Sequence, residues 1–368
     1  MFTIPNGVAW VNDSLVISAA SPQGISLYRQ RIAGPAFQPV GTAQRLTEGS
    51  ESGWLPSAAA GRLAFISSRT DANLWSVQLD PASGIAHGPL RRITRGPGIL
   101  GNLTITRDSR TLAYCSVRLG QGDVFLRDLQ VETESVLNEG PPGPKWDPAI
   151  SPSGSRLAVS NRPQAGERAL RPIFVISLPD GAWHQVAEDC GGRPRGWVDE
   201  RRLLIQRFGR LSSLAVIDTE TGDQLELIQS QERSINNPRL SPDRRWIAFD
   251  ASLPSGPASV FVAPFRGEPI AESSWAEVEP STSHPFWSAD GRVLYYTTIG
   301  TNPLIRSAVR ARHFAPTSGL VEGEPIAVYR ATEMLMPAYP GTTPVATPDQ
   351  ILFVLGDFRG DVWIMDLE

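Results

Sequence analysis

The sequence predicts an all-β fold, a β-propeller of four-stranded antiparallel blades. Three observations carry this: a phrase recurring mostly every 44 to 48 residues, short apolar strand runs inside each period, and no apolar spacing at helical period over three turns.

The recurring phrase is clearest in SHPFWSADGRVLYYTT (Ser283 to Thr298), with counterparts at Asn236 to Ser252, Trp146 to Asn161 and Gly101 to Ser116. Anchored on the turn residue held by Asp290, the equivalent positions are Asp13, Ala60, Asp108, Ser153, Asp199, Asp243, Asp290 and Asp349. The steps between them are 47, 48, 45, 46, 44, 47 and 59 residues, which makes eight units of one length class. A proline stands five residues before the anchor in five units, at Pro148, Pro194, Pro238, Pro285 and Pro344.

After each turn comes a run such as LAYCS (Leu112 to Ser116), LLIQ (Leu203 to Gln206) or WIAFD (Trp246 to Asp250). These runs are too short for helices and rich in β-branched and aromatic residues, so they read as buried strands. A polar or Gly-rich link leads to a second strand such as DVFLRDL, LAVIDT or DVWIMDL, and a weaker last segment such as RRITRG (Arg91 to Gly96) closes the unit. Four hairpin-linked strands per unit is the propeller blade. The long step before the last unit holds HFAPTSGLVEGEP (His313 to Pro325), read as an extended connection between the third and fourth strands of blade seven.

An open ring would expose strand edges, so closure matters. The last unit has three strands before Glu368, and Phe2 to Pro5 could supply the fourth. The prediction is a single domain over residues 1–368, with eight blades near 7–52, 53–99, 100–144, 145–192, 193–235, 236–283, 284–341 and 342–368 plus 1–6. Seven blades, with one unit outside the ring, is the alternative.

Hydrophobic residues make up 41% of the chain, which with 33 Gly and 32 Pro fits a turn-rich globular protein. A net charge of −4 offers no basic footprint for nucleic acid or an anionic membrane. No apolar run reaches the roughly 20 residues that span a bilayer, and FTIPNG after Met1 is no secretory leader. Cys115 and Cys190 fall in or beside strands and read as buried thiols rather than a disulfide, although sequence cannot assign pairing.

The phrase x-Pro-x-(Trp/Leu/Ile)-Ser-Pro-(Asp/Ser)-(Gly/Arg), followed by an apolar run, resembles the TolB-type propeller repeat at Pro148 to Ser160, Pro238 to Asp250 and Pro285 to Thr298. ANLWSVQLDPASG (Ala72 to Gly84) with RRITRGPG (Arg91 to Gly98) looks most like the C-terminal propeller regions of bacterial kinases and winged-helix regulators. The resemblance covers essentially the whole chain and speaks to fold rather than activity. Nothing in the sequence corresponds to the α/β domain of TolB or the hydrolase domain of the prolyl oligopeptidase family.

Catalytic motifs are missing. No Gly-x-Ser-x-Gly elbow occurs, so an α/β-hydrolase nucleophile has no seat. Ser151, Ser241 and Ser288, each two residues before its anchor, read as turn residues bonding local backbone. Gly96 to Gly101 matches G-x-G-x-x-G by letter but lacks the following helix that would hold a pyrophosphate. The four histidines, His87, His184, His284 and His313, have no metal-ligand spacing, whereas lyases that resemble this fold carry histidine-rich axial metal centres. Arg359-Gly360-Asp361 reads as a hairpin turn.

His284 lies six positions before its anchor, where the innermost strand should approach the channel. That position reads Gly7, Trp54, Asn102, Asp147, Arg193, Asn237, His284 and Thr343 around the ring; two residues on, it reads Ala9, Pro56, Thr104, Ala149, Arg195, Arg239, Phe286 and Val345. Asp147, Arg193, Arg195, Asn237, Arg239 and His284 therefore gather in one sector as the candidate ligand site at the channel mouth, set against a plain hydrated channel with scattered ion pairs.

The function expected is a non-catalytic interaction or sensory module, the C-terminal part of a larger bacterial regulator or kinase, extracytoplasmic if that parent is membrane-anchored. It would bind a protein, a peptide or a small ligand, with no cofactor, no metal, no nucleic acid and no direct membrane insertion. The alternative is a lyase or lactone hydrolase working at the axis through a metal held by carboxylates such as Asp147.

Overall fold

The structure, a computed structural model, describes residues 8–21, 24–47, 52–80, 83–96, 100–117, 122–137, 139–161, 172–178, 180–187, 192–299, 305–330, 336–337 and 342–366. Apart from one turn of 3-10 helix at Glu272–Ser274, the regular structure in these residues is antiparallel strand, as the periodicity predicts. None of it is a helix long and apolar enough to cross a membrane.

The chain divides into two compact units, Met1–Asp71 with Ala165–Glu167 and Asp357–Glu368, and Ala72–Gln164 with Arg168–Gly356. In the first, the sheet Val8–Val11, Ser14–Ser21, Gly24–Ala33, Gln38–Arg45 is one complete repeat. Its core joins Val11, Val16 and Leu27 to Leu63 and Phe65.

In the second unit, repeats three to six each fold into one four-stranded sheet in sequence order. Repeat seven does the same, with Met336–Pro337 added alongside Ile305–Ala315. The sixth sheet is composite. Val345–Ala346 and residues 350–356 from repeat eight pair with residues 72–79 from repeat two, and Ala86–Arg92 lies outermost. The innermost strands of these sheets contact one another in the order Leu100–Ile105, Lys145–Ile150, Gly192–Trp197, Ser234–Leu240, Thr282–Trp287, Val345–Ala346 and back to Leu100–Ile105. The inner strands of the six sheets in this unit thus contact one another in a closed circuit.

Phe2 to Pro5 lies outside the described residues, and the partner of Gln350–Asp366 is the 18-residue strand Arg62–Leu79. Leu79 N–H donates to the Asp349 carbonyl (2.7 Å) and Arg62 Nε to the Asp366 carboxylate (3.1 Å), contacts seventeen residues apart in each strand. Links 68–71 and 356–360 stay extended instead of turning, because each faces an equally long partner. Arg359-Gly360-Asp361 is therefore strand, not a hairpin turn. Each of these two long strands covers two successive strand positions of its repeat, and the strands among the described residues fall into seven hydrogen-bonded sheets.

Apolar layers between neighbouring sheets hold the second unit together. Phe286, Tyr295 and Val309 of repeat seven pack on Val77, Ile351 and Phe353 of the composite sheet, whose Leu74, Leu352 and Val354 pack on Leu112 and Tyr114 of repeat three. The Tyr295 hydroxyl donates to the Gly84 carbonyl (3.3 Å) across the first of these boundaries. The repeated tryptophans are also ties: Trp197 Nε1 donates to the Ala149 carbonyl (2.8 Å) and Trp287 Nε1 to the Arg239 carbonyl (3.0 Å), each on the preceding blade.

The extended connection expected at His313 to Pro325 is a hairpin of two 11-residue strands, Ile305–Ala315 and Leu320–Arg330. Gly319 at its tip has φ +76° and lies against the Trp246 ring. The Ser-x-Asp phrases do form turns. Ser241 Oγ donates to Asp243 (2.6 Å) and accepts from Trp246 N–H (3.0 Å), and Ser288 repeats this with Asp290 (2.7 Å) and Val293 N–H (2.9 Å). Cys115 is a buried thiol directed at the Lys145 carbonyl; Cys190 and residues 97–99 of the glycine phrase lie outside the described residues.

Candidate functional site

One backbone irregularity shapes the site. Four inner strands carry a β-bulge where two residues oppose one on the next strand: Asn102-Leu103, Asp147-Pro148, Asn237-Pro238 and His284-Pro285. The first residue of each pair has φ between +48° and +56°. Asn, Asp and His tolerate positive φ better than most residues, and a bulge re-aims the side chain it carries. Repeat five differs, its extra residue being Arg195. In repeat two the bulge falls one residue later relative to the anchor Ala60, so Leu55 rather than Trp54 holds the bulge position.

The six predicted residues fall into two tiers of the second unit. Asp147, Arg193, Asn237 and His284 form a buried polar collar. Asp147 accepts from Ser160 Oγ (2.8 Å) and faces Arg193 Nε (3.7 Å) and Arg195 Nη1 (3.6 Å). Asn237 Nδ2 donates to Asp250 Oδ1 (2.8 Å) and lies 3.2 Å from His284 Nδ1, which therefore accepts; His284 N–H donates to the same Asp250 oxygen (3.1 Å).

Arg195 and Arg239 form the second tier, the wall of an axial cavity of about 200 Å³. Every sheet of the second unit contributes to this wall, with Thr104, Ile150, Arg195, Arg239, Phe286 and Val345 as one residue from each. The collar residues Asp147, Arg193, Asn237 and His284 do not line it. Of the six predicted residues, four thus belong to the structural network and two to the cavity wall.

Arg195 is held by Gln206, whose Oε1 accepts from Nε (2.8 Å) while its Nε2 donates to Asn236 Oδ1 (2.7 Å). Arg239 Nη1 donates to the carbonyls of Pro238 (3.1 Å) and Arg195 (3.4 Å). Arg239 is half-buried and lines the cavity; desolvation by burial, then the charge of Arg195, lowers its pKa to about 10, with Asp250 opposing the shift. Arg244 also lines the cavity; burial, then Arg107, pulls its pKa down.

Gln206, Asp250 and Ser160 were missed by the sequence reading although a signal existed. Ser116, Ser160, Gln206, Asp250 and Thr297 are the polar residues ending otherwise apolar second strands, and all are buried. Arg107 and Arg244, beside turn anchors, were missed too. Among the described residues no group of three or more His, Cys, Asp or Glu stands together as a metal site.

No family model matches the chain. A stretch of 78 residues, 21% of the chain, is 38% identical to Tricorn protease homolog 1 of Streptomyces coelicolor and spans only 7% of that protein's length. Among solved structures, a putative TolB from Agrobacterium tumefaciens superposes with a TM-score of 0.59 at 16% identity, covering 78% of this chain and 99% of that one. TolB from Acinetobacter baumannii gives 0.51 at 13% identity, covering 94% and 81%. With its repeat of four-stranded antiparallel sheets, this chain has the TolB-type β-propeller fold.

Proposed function

We propose that the chain is a non-catalytic binding propeller, which takes a peptide or small ligand in the axial cavity and serves as the interaction or sensory module of a bacterial regulator. The observation that carries this reading is the cavity itself: six sheets converge on a concave site whose wall combines apolar and aromatic side chains with arginines, serines and threonines, a make-up that suits a ligand pocket. The collar supports it. Asp147 faces two guanidinium groups, and a metal cation brought to that carboxylate would meet both of them.

Selection from a random peptide library on the wild type and on Leu240→Trp, which fills the cavity, tests the reading. Enrichment of peptides that lose binding to Leu240→Trp is expected; binders indifferent to the substitution overturn it. Metal analysis is the second arm, and stoichiometric metal lost from Asp147→Ala and His284→Ala would favour an axial enzyme instead.

A further inference from the structure

We propose that the axial cavity holds an organic carboxylate with an apolar body, its charge taken by Arg239 together with Arg195. This rests on the reading of the cavity as a ligand site.

The charged side chains of the cavity wall are Arg107, Arg195, Arg239 and Arg244, with no acid among them. Compensation differs from one to the next. Arg195 has Asp147 at 3.6 Å, and Arg244 has Asp199 and Glu200 opposing the repulsion of Arg107. Arg239 has no carboxylate within 4.0 Å among the described residues. The acid that favours its charge, Asp250, already accepts from Asn237 and from the His284 N–H.

A cation set among protein atoms without a counter-charge is costly. The two carbonyls bonded to Nη1 leave Nε and Nη2 of Arg239 without a hydrogen bond, so the guanidinium presents a donor fork to the cavity. A carboxylate accepts such a fork in bidentate fashion. An anion lying between Arg195 and Arg239 would also relieve their mutual repulsion, and the fixed Gln206 contact holds Arg195 ready for it.

The rest of the wall decides what kind of anion fits. Phe286, Trp287, Trp197 and Leu240 are apolar or aromatic, and a strongly hydrated dianion would lose water against them with nothing in return. A monoanion whose body is apolar replaces water on both counts.

Isothermal titration of the full chain with N-acetylphenylalanine, its amide and inorganic phosphate tests this. The acid is expected to bind, the amide to bind at least about tenfold more weakly, and phosphate to bind more weakly than the acid. Arg239→Met is expected to lose acid binding by a similar factor, with a melting temperature at or above that of the wild type showing that it folds. Equal binding of acid and amide, tighter binding of phosphate, or full acid binding by Arg239→Met overturns the assignment. In the first case the cavity is still a ligand site and only the carboxylate falls. If none of the three compounds binds, the carboxylate assignment falls and the peptide selection decides the cavity.

Discussion

The hydroxyl of Tyr295 donates to the carbonyl of Gly84 at 3.3 Å, joining residues 211 positions apart across the boundary between repeat seven and the composite sheet. Burial, then Asp290, raises the Tyr295 pKa to about 12. A phenol whose pKa is higher folded than unfolded contributes stability that is complete below about pH 10 and is lost as pH rises toward 12. Tyr295→Phe should lower stability by about 1 kcal/mol at pH 7 and flatten the alkaline fall. Denaturant titrations at pH 7 and across pH 9 to 12 check both.

Arg239 works in the opposite sense. Its folded pKa of about 10 lies below the ordinary guanidinium value, so the protonated side chain costs the folded state most below pH 10, and the cost fades as pH rises above that. Arg239→Met should raise stability at pH 7 by about 1 to 3 kcal/mol, as replacing a buried charge with an apolar group of similar volume often does. The gain should shrink in strongly alkaline buffer, which equilibrium unfolding at pH 7 and 11 would reveal.

Asp147 is 1% exposed and faces Arg193 and Arg195. Asp147→Asn keeps the shape and removes the charge, leaving both guanidinium groups facing a neutral amide. A loss of about 3 kcal/mol is expected, measurable as a lower denaturation midpoint with an unchanged slope.

Gly319→Ala should be costly for two reasons. The φ of +76° disfavours a side chain, and the new Cβ would lie 1.9 Å from the Trp246 ring, whose Nε1 is bonded to the Pro316 carbonyl (2.9 Å). Thermal unfolding should report a loss of about 2 kcal/mol or more.

The Arg62–Asp366 pair gives the contrasting case. Both side chains are largely exposed, at 69% and 82%. Arg62→Ala should change stability by less than about 0.5 kcal/mol, with backbone pairing rather than this contact holding the strands; chemical denaturation would show it.

Fold class, strand order and the Ser-x-Asp turns were legible in the sequence because they rest on local patterning. Alternation, turn residues and a repeating period act within one blade. Even the bulge was foreshadowed by Asn, Asp or His ahead of a leucine or proline, residues suited to positive φ.

Tertiary structure alone decided the rest. Local sequence does not say whether the links at 68–71 and 356–360 turn or stay extended, because that depends on each finding the other nearly three hundred residues away. From that pairing follows the sheet that repeats two and eight share. The division of Asp147, Arg193, Asn237 and His284 from Arg195 and Arg239 was likewise out of reach, since it depends on buried partners such as Asp250 and Gln206 from adjoining strands. Sequence by itself determined which residues come near the axis; only packing decided which of them satisfy one another and which are left facing a cavity.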